Sequence, residues 1–291
     1  MKQPLVATVL LALASAGTAQ TPDLALRWDI RGTYIARSGN NTKLRWYDPM
    51  GRPSTVGFGL TLEPGYYVLI TQRLQRVERD IDREQIDEAY IEDPGNWRLG
   101  RQYLPVGAKG LIREAALGAR GDFRLARDLD AQVVVFDNGR RALRGGVIRI
   151  GKRSAVTIGV GRHFSAAATS LGAIRAPEDN PGRGRGYRFL IAADSSINWG
   201  TALVTAELVG LRDGQTPLDR SEAISDVRIA NEFAERKVEV VLAWSRKWKE
   251  RRDIFRMESA LKISKNVSVT SFVRFDGGTW KDLGAGIRVR L

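Results

Sequence analysis

The chain has 291 residues, a formal net charge of +13, one histidine and no cysteine. The lack of cysteine excludes disulfide scaffolds, thiolate metal sites and thiol nucleophiles, and a hydrophobic content of 43% belongs to a folded chain rather than a disordered one. The basic balance calls for anionic partners: nucleic acid, an anionic surface or small anions.

Residues 1–19 narrow that choice. Lys2 precedes an apolar run from Leu5 to Ala16, and Gly17-Thr18-Ala19 follows it. A charged start, a short apolar stretch and small residues form a secretory signal, cleaved after Ala19 or after Ala16. The run is too short for a spanning helix, and no later run is long enough for one. Export removes nucleic acid from the partners. The expected organisation is a signal peptide at 1–19 and one domain at 20–291.

Taken in chain order, the rest reads as strands. In LRWDIRGTYIA, residues Leu26, Trp28, Ile30, Gly32, Tyr34 and Ala36 share one face, and Arg27, Asp29, Arg31 and Thr33 share the other. TVGFGLTL and YYVLITQRL flank a turn at Glu63-Pro64-Gly65, and the charged stretch from Val77 to Glu88 reads as a loop flank. DEAYIE and WRLGRQYL flank Asp93-Pro94-Gly95-Asn96. Gly121 to Asp137 holds one strand or two. Further turns fall at Asp137-Asn138-Gly139 and Gly151-Lys152-Arg153-Ser154. Ser165–Gly186 and Arg212–Arg236 read as long loops, the second with a short helix suggested by Ile224, Val227, Ala230 and Ala234. RKVEVVLAW, IFRMESALKI and VSVTSFVRF then alternate again, with a turn at Ser264-Lys265-Asn266, and LGAGIRVRL alternates to Leu291.

Two architectures produce such a pattern. A soluble sandwich or barrel hides its apolar face, whereas a membrane barrel turns that face outward. Spanning strands need about 9–11 residues and soluble ones most often have about 5–6; several of these runs reach the longer figure. Trp28, Trp97, Trp199, Trp244 and Trp280 fall near expected strand ends, as an interfacial aromatic girdle requires. The expectation is an all-β transmembrane antiparallel barrel of 14–16 strands, with 12 as the alternative. Counting from both termini gives 16 if Gly121–Asp137 holds two strands. The same count puts both long stretches on the side of the short turns, where bacterial barrels have short connections. LGAGIRVRL is the expected closing strand, paired with the strand around Trp28.

The phrase Glu88-Ala89-Tyr90-Ile91, followed by Leu99-Gly100-Arg101-Gln102-Tyr103 with Pro105 and Gly107, resembles the porins of bacterial outer membranes, especially the phosphate-selective group. The ending ISKNVSVTSFVRF…LGAGIRVRL resembles a porin ending, with Leu291 where that family usually has an aromatic residue. The resemblance implies a diffusion channel of the outer membrane, and a homotrimer. No residue here matches the family's phosphate-binding positions.

For such a channel the alternation nominates basic residues facing the lumen: Arg27, Arg31, Arg98, Arg149, Arg188, Arg256, Lys262, Arg274, Arg288 and Arg290. Acids on the same faces are Asp29, Asp194, Glu207, Glu239 and Glu258. The excess of arginine implies a weak anion preference; the alternative is that acids and bases pair across strands and stiffen the wall. Expected partners are outer-membrane lipid and lipopolysaccharide, the barrel-assembly machinery, and small anionic or neutral solutes. Two other readings stay open: a non-conducting barrel serving as envelope anchor or adhesion module, and a barrel hydrolase built on His163. A lone histidine at a strand end argues against catalysis. Asp80, Asp82, Glu84, Asp87 and Glu88 lack the spacing of a calcium loop, and no metal or cofactor is expected.

Overall fold

The structure, a computed structural model, describes residues 23–37, 40–46, 53–62, 65–74, 85–108, 111, 115–139, 143–164, 187–212 and 221–290. The expected signal peptide, Leu291 and all of Ser165–Gly186 lie outside them. The described residues form one antiparallel sheet: β1 (Asp23–Arg37), β2 (Asn40–Arg45), β3 (Thr55–Leu62), β4 (Tyr66–Arg73), β5 (Ile86–Asp93), β6 (Trp97–Tyr103), β7 (Ala115–Ala126), β8 (Leu129–Asp137), β9 (Arg144–Gly151), β10 (Ser154–Phe164), β11 (Tyr187–Trp199), β12 (Ala202–Arg212), β13 (Ser221–Phe233), β14 (Val238–Lys247), β15 (Arg252–Lys262), β16 (Val267–Asp276) and β17 (Thr279–Arg290).

Apart from β2 and β3, which both pair with β1, consecutive strands pair with each other, and the sheet closes because β1 also pairs with β17 from Asp29↔Arg290 to Arg37↔Asp282. LGAGIRVRL is therefore the closing strand. Close approach explains its glycines: a Cβ on Gly284 would collide with the Tyr34 carbonyl oxygen and the Phe272 ring. On the lumenal side of this seam the Asp29 carboxylate accepts hydrogen bonds from Arg31 of its own strand (2.6 Å) and Arg288 of β17 (2.7 Å).

The 17 segments make a wall of 16 strands. β2 pairs with the second half of β1 and β3 with the first half, along the same edge. They are two pieces of one strand, interrupted after Arg45 and resumed at Thr55. The chain leaves and returns at one level, where the Ser54 amide donates to the Trp46 carbonyl (3.0 Å). The gap faces Arg31. There the buried Ser54 hydroxyl accepts from the Arg31 amide (2.8 Å) and donates to the Arg31 carbonyl (3.0 Å). One side chain thus replaces two ladder bonds.

Sixteen is the upper figure of the expected 14–16 and overturns the alternative of 12. Gly121–Asp137 contributes to two strands, β7 and β8. Of the stretch Arg212–Arg236, expected as a loop with a helix, residues 213–220 lie outside the described residues and Ser221–Phe233 is a strand. This is β13, whose β-branched and small residues alternate between faces, and pairing on both edges outweighs its local helical spacing. Restoring that strand repairs the topology. The strand ends that flank 63–65, 94–96, 127–128, 152–153, 200–201, 234–237 and 263–266 all lie at one end of the wall, and those that flank 74–85, 104–114 and 165–186 lie at the other. Short turns thus mark the periplasmic type of rim. Of Val77–Glu88, the residues from Ile86 onward belong to β5.

The pleat sorts the side chains. Leu26, Val135, Ile158, Ile191, Leu242 and Ile287 are among the large apolar residues exposed on the outer surface. Tyr66 and Trp97, with ring centroids 5.7 Å apart, join Trp199 at the short-turn rim. Trp244, Trp248, Phe255 and Trp280 cluster toward the other rim. Trp28 departs from the expected girdle: it faces outward in mid-wall, opposite Val56.

Ser54→Ala removes both partners of the Arg31 backbone in the gap. We expect a loss of about 1–3 kcal/mol, read as a lower urea midpoint for the heat-modifiable folded band in detergent. An unchanged midpoint would show that the gap needs no hydroxyl.

Candidate pore wall and inner segment

The register of β1 to β17 decides which side chains point inward. Arg27, Arg31, Arg98, Arg149, Arg188, Arg256, Lys262, Arg274, Arg288 and Arg290 all alternate with outward aliphatics. Most of them are engaged. Arg98 binds Glu92 (2.6 Å) and stacks over Tyr90, its guanidinium carbon 3.8 Å from the ring centroid. Arg149 grips Asp194 with both terminal nitrogens (2.5 and 2.8 Å). Arg256 contacts Glu258 (2.6 Å), Lys262 contacts Glu232 (2.9 Å), and Arg274 pairs with Asp282 in a fully buried ion pair. Arg31 and Arg288 share Asp29. Arg290 is set opposite Asp29 in the β1–β17 register. Arg27 lies over the Tyr67 ring at 5.5 Å. Arg27 and Arg188 have no carboxylate partner among the described residues.

The alternation left out several inward cations. Arg73 binds Asp87 (2.8 Å), Arg120 binds Asp122 (2.8 Å), Arg228 binds Asp226 (2.5 Å), and Arg252 binds Asp276 (2.5 Å). Lys247 binds Glu250 (2.9 Å). Arg228 lies on a strand whose spacing resembles a helix, and Arg120 lies just before Gly121–Asp137, the segment expected to hold one strand or two. The acids named with the original set, Asp29, Asp194, Glu207, Glu239 and Glu258, all face inward. Charges of opposite sign therefore alternate around the inner wall, and pairing dominates over an excess of arginine.

A second feature has no counterpart in the sequence reading. After β6 the chain enters the barrel. Leu104, Val106 and Leu111 are almost fully buried against inward residues of β8 to β13, including Val134, Phe136, Val147, Leu190, Val209 and Ile224. Polar contacts fix the same segment. The Leu111 amide donates to Glu207 Oε2 (3.1 Å), Arg149 donates to the Gly107 carbonyl (3.2 Å), and the Thr157 hydroxyl donates to the Pro105 carbonyl (3.4 Å). Gly107 has φ +57 and sits so close to Glu207 that a Cβ would strike the carboxylate. The sequence signal available was the apolar LPVG following a strand, with no outer wall left for it to join.

Of the open chemical readings, His163 contributes backbone to β10, and its side chain falls outside the described residues. Asp80, Asp82 and Glu84 lie outside them too, while Asp87 holds Arg73 and accepts from the Tyr103 hydroxyl (2.5 Å). No metal-binding group of acids or histidine occurs among the described residues.

Solved structures share this closed wall. OmpT of Vibrio cholerae, an outer membrane protein, in a loop-deleted form, superposes with a TM-score of 0.63 at 11% identity, over 94% of this chain and 100% of its own. The fold is that of the outer-membrane porins. An anion-selective porin from Comamonas acidovorans gives 0.62 at 10% identity, over 93% and 100%. The outer membrane channel DcaP of Acinetobacter baumannii gives 0.62 at 9% identity, over 95% and 100%. Sequence comparison finds no matching family model and no matching curated protein. The fold is thus shared at about one residue in ten identical.

Glu207→Ala takes away the acceptor of the Leu111 amide and loosens the inner segment. Removing such a buried partner costs about 1–3 kcal/mol, so amide hydrogen exchange across 104–111 should quicken by about ten- to a hundredfold. Exchange at the wild-type rate would mean that the apolar contacts alone hold the segment.

Proposed function

We propose that this chain is a porin-like channel of the outer membrane that passes small hydrophilic solutes by diffusion, with a weak preference for anions. One observation carries the reading: a closed 16-strand wall, aliphatic outside, carries charged side chains on its inner face. Barrels of 16–18 strands are wide enough to leave an aqueous lumen. The proposed lining is Arg27, Arg31, Arg98, Arg149, Arg188, Arg256, Lys262, Arg274, Arg288 and Arg290, joined by Arg73, Arg120, Arg228, Lys247 and Arg252. The segment 104–111 narrows the lumen on the β8–β13 side.

Paired charges present small dipoles to a passing ion rather than a net field, so selectivity is weak. Arg27 and Arg188 tip it toward anions. In this reading residues 1–19 direct export, assembly machinery folds the barrel, and the wall contacts lipid and lipopolysaccharide. OmpT of Vibrio cholerae is described in a trimer form, and we propose a trimer here.

A second reading has its own support. The apolar cluster inside the barrel fills part of the lumen, as a closed envelope anchor would require. Planar-bilayer recording of the refolded protein separates the two. Discrete conductance steps are expected; a folded, inserted barrel without them overturns the channel. In a KCl gradient the reversal potential should show chloride slightly favoured over potassium. Arg27→Gln with Arg188→Gln should abolish that preference while leaving the steps. A cation preference in the wild type would refute the assignment of sign.

A further inference from the structure

β17 covers β1 only from Asp29 upward, since the ladder between them begins at Asp29↔Arg290. Below that level β1 keeps one partner. Its residues from Asp23↔Thr61 to Asp29↔Thr55 pair with β3, and the other edge meets no described strand. The closed part of β1 shows which backbone groups this leaves open. The Gly32 and Tyr34 carbonyls point to β17, where a Cβ on Gly286 or Gly284 would strike them. The Arg31 amide and carbonyl point to Ser54 on the opposite edge. Carried down the strand, this alternation turns the N–H and C=O of Leu24 and Leu26 toward the open side, and those of Asp23, Ala25 and Arg27 toward β3.

Asp23 to Arg27 are exposed on both faces. Leu24 (54%) and Leu26 (63%) share the outward face, and Asp23, Ala25 and Arg27 share the other. Neither Asp23 nor Arg27 has an ion-pair partner among the described residues. Asp23 lies beside Thr61, close to the turn at 63–65, so the edge opens at the short-turn rim. An uncovered edge with an apolar row is a template for another strand, and near hydrocarbon its unmet N–H and C=O groups are costly.

Symmetry argues against a second copy as that strand. Antiparallel pairing of two such edges needs a two-fold axis perpendicular to the wall; that axis lies in the membrane plane and inverts one barrel. Parallel pairing needs an axis along the strand. Barrel strands tilt about 35–45° from the barrel axis, so the two barrels would diverge by about twice that angle. Neither arrangement fits one membrane. The edge itself specifies what does fit. In an antiparallel strand laid in line with β17, opposite residues share a face. Apolar side chains belong against Leu24 and Leu26, a small one against Ala25, an acid against Arg27 and a base against Asp23.

We propose that Asp23–Arg27 is a docking edge for an extended peptide of a periplasmic protein with that pattern, bound by strand addition. The proposal rests on the reading of this chain as an outer-membrane barrel with its short turns in the periplasm, and does not require that it conduct.

Read antiparallel, the chain's own Asp-Leu-Ala-Leu-Arg has the required pattern, so the probe is a peptide of this sequence with an activated Cys in place of its Ala. The full refolded chain contains no cysteine, so A25C places a single thiol at the middle of the edge. T61C places an exposed thiol on β3, both of whose edges are covered. Relative to free activated cysteine, the peptide should form a disulfide with A25C at least about tenfold faster than with T61C, because docking raises the local concentration of the reacting group. Exchanging the peptide's Asp and Arg, or N-methylating its two leucines, should remove that advantage. So should Leu26→Pro in the A25C chain, which deletes an amide on the open edge and none bonded to β3. Heat-modifiable migration shows whether each chain is folded; should the proline variant fail there, the N-methylated peptide decides, since it leaves the barrel untouched. Equal rates for A25C and T61C overturn the site, and so does an advantage that survives the exchanged or N-methylated peptide. Linkage of two chains through A25C faster than capture of the peptide also overturns it, in favour of a contact between copies. Conductance is read separately: capture by a barrel that does not conduct refutes the channel and not this edge, and conduction without capture refutes this edge alone.

Discussion

A wall immersed in hydrocarbon tolerates no unpaired backbone, and the rest of this structure follows from that constraint. Each N–H or C=O left open to lipid costs several kcal/mol, so the sheet must have no edge. β1 meets the requirement from both sides: β17 covers one edge and the pieces β2 and β3 cover the other. Where those pieces part, Ser54 supplies a donor and an acceptor to Arg31. The same demand makes glycine necessary at Gly284, since closing the ring brings β17 against the Tyr34 carbonyl.

Closure fixes the chemistry of the two faces, because a pleat with a period of two cannot mix them. Aliphatics take the outside, and every charge in mid-wall is confined to the inside. There the charges are crowded and partly withdrawn from water, so each arginine is worth keeping only beside an acid. Asp29 serves two guanidiniums at once and ties the first strand to the last. The pairs brace a wall that has no packed core of the usual kind behind it. They also offset most of the field of the inward arginines, and leave Arg27 and Arg188 without a carboxylate among the described residues.

Much of this was legible in the sequence because the period is so regular. The facing of β1, β14, β15, β16 and β17 could be read residue by residue, down to Arg288 and Arg290 on the lumenal side of the last strand. What failed did so for physical reasons. β13 and the turn after it carry Ile224, Val227, Ala230 and Ala234 at helical spacing, and only the partners on β12 and β14 make β13 a strand. Its loss from the count shifted the long connections to the wrong rim. Trp28 follows the alternation, but alternation says nothing about depth in the membrane. Ion pairing was invisible too: the sequence shows Arg149 and Asp194 as two residues of one face, and only the strand neighbours put them 2.5 Å apart.

The inner segment shows how a barrel acquires an asymmetric lumen. A wall built only of paired charges would be alike all round. Instead β8 to β13 place Val134, Phe136, Val147, Leu190, Val209 and Ile224 inward, an apolar surface that water alone would leave uncovered at a cost. Leu104, Val106 and Leu111 cover it. Their backbone then needs partners within the barrel, and Glu207, Arg149 and Thr157 supply them from neighbouring strands. The same strands thus set both where the segment lies and what holds it: the apolar patch determines its place, and Glu207, Arg149 and Thr157 beside that patch satisfy its backbone.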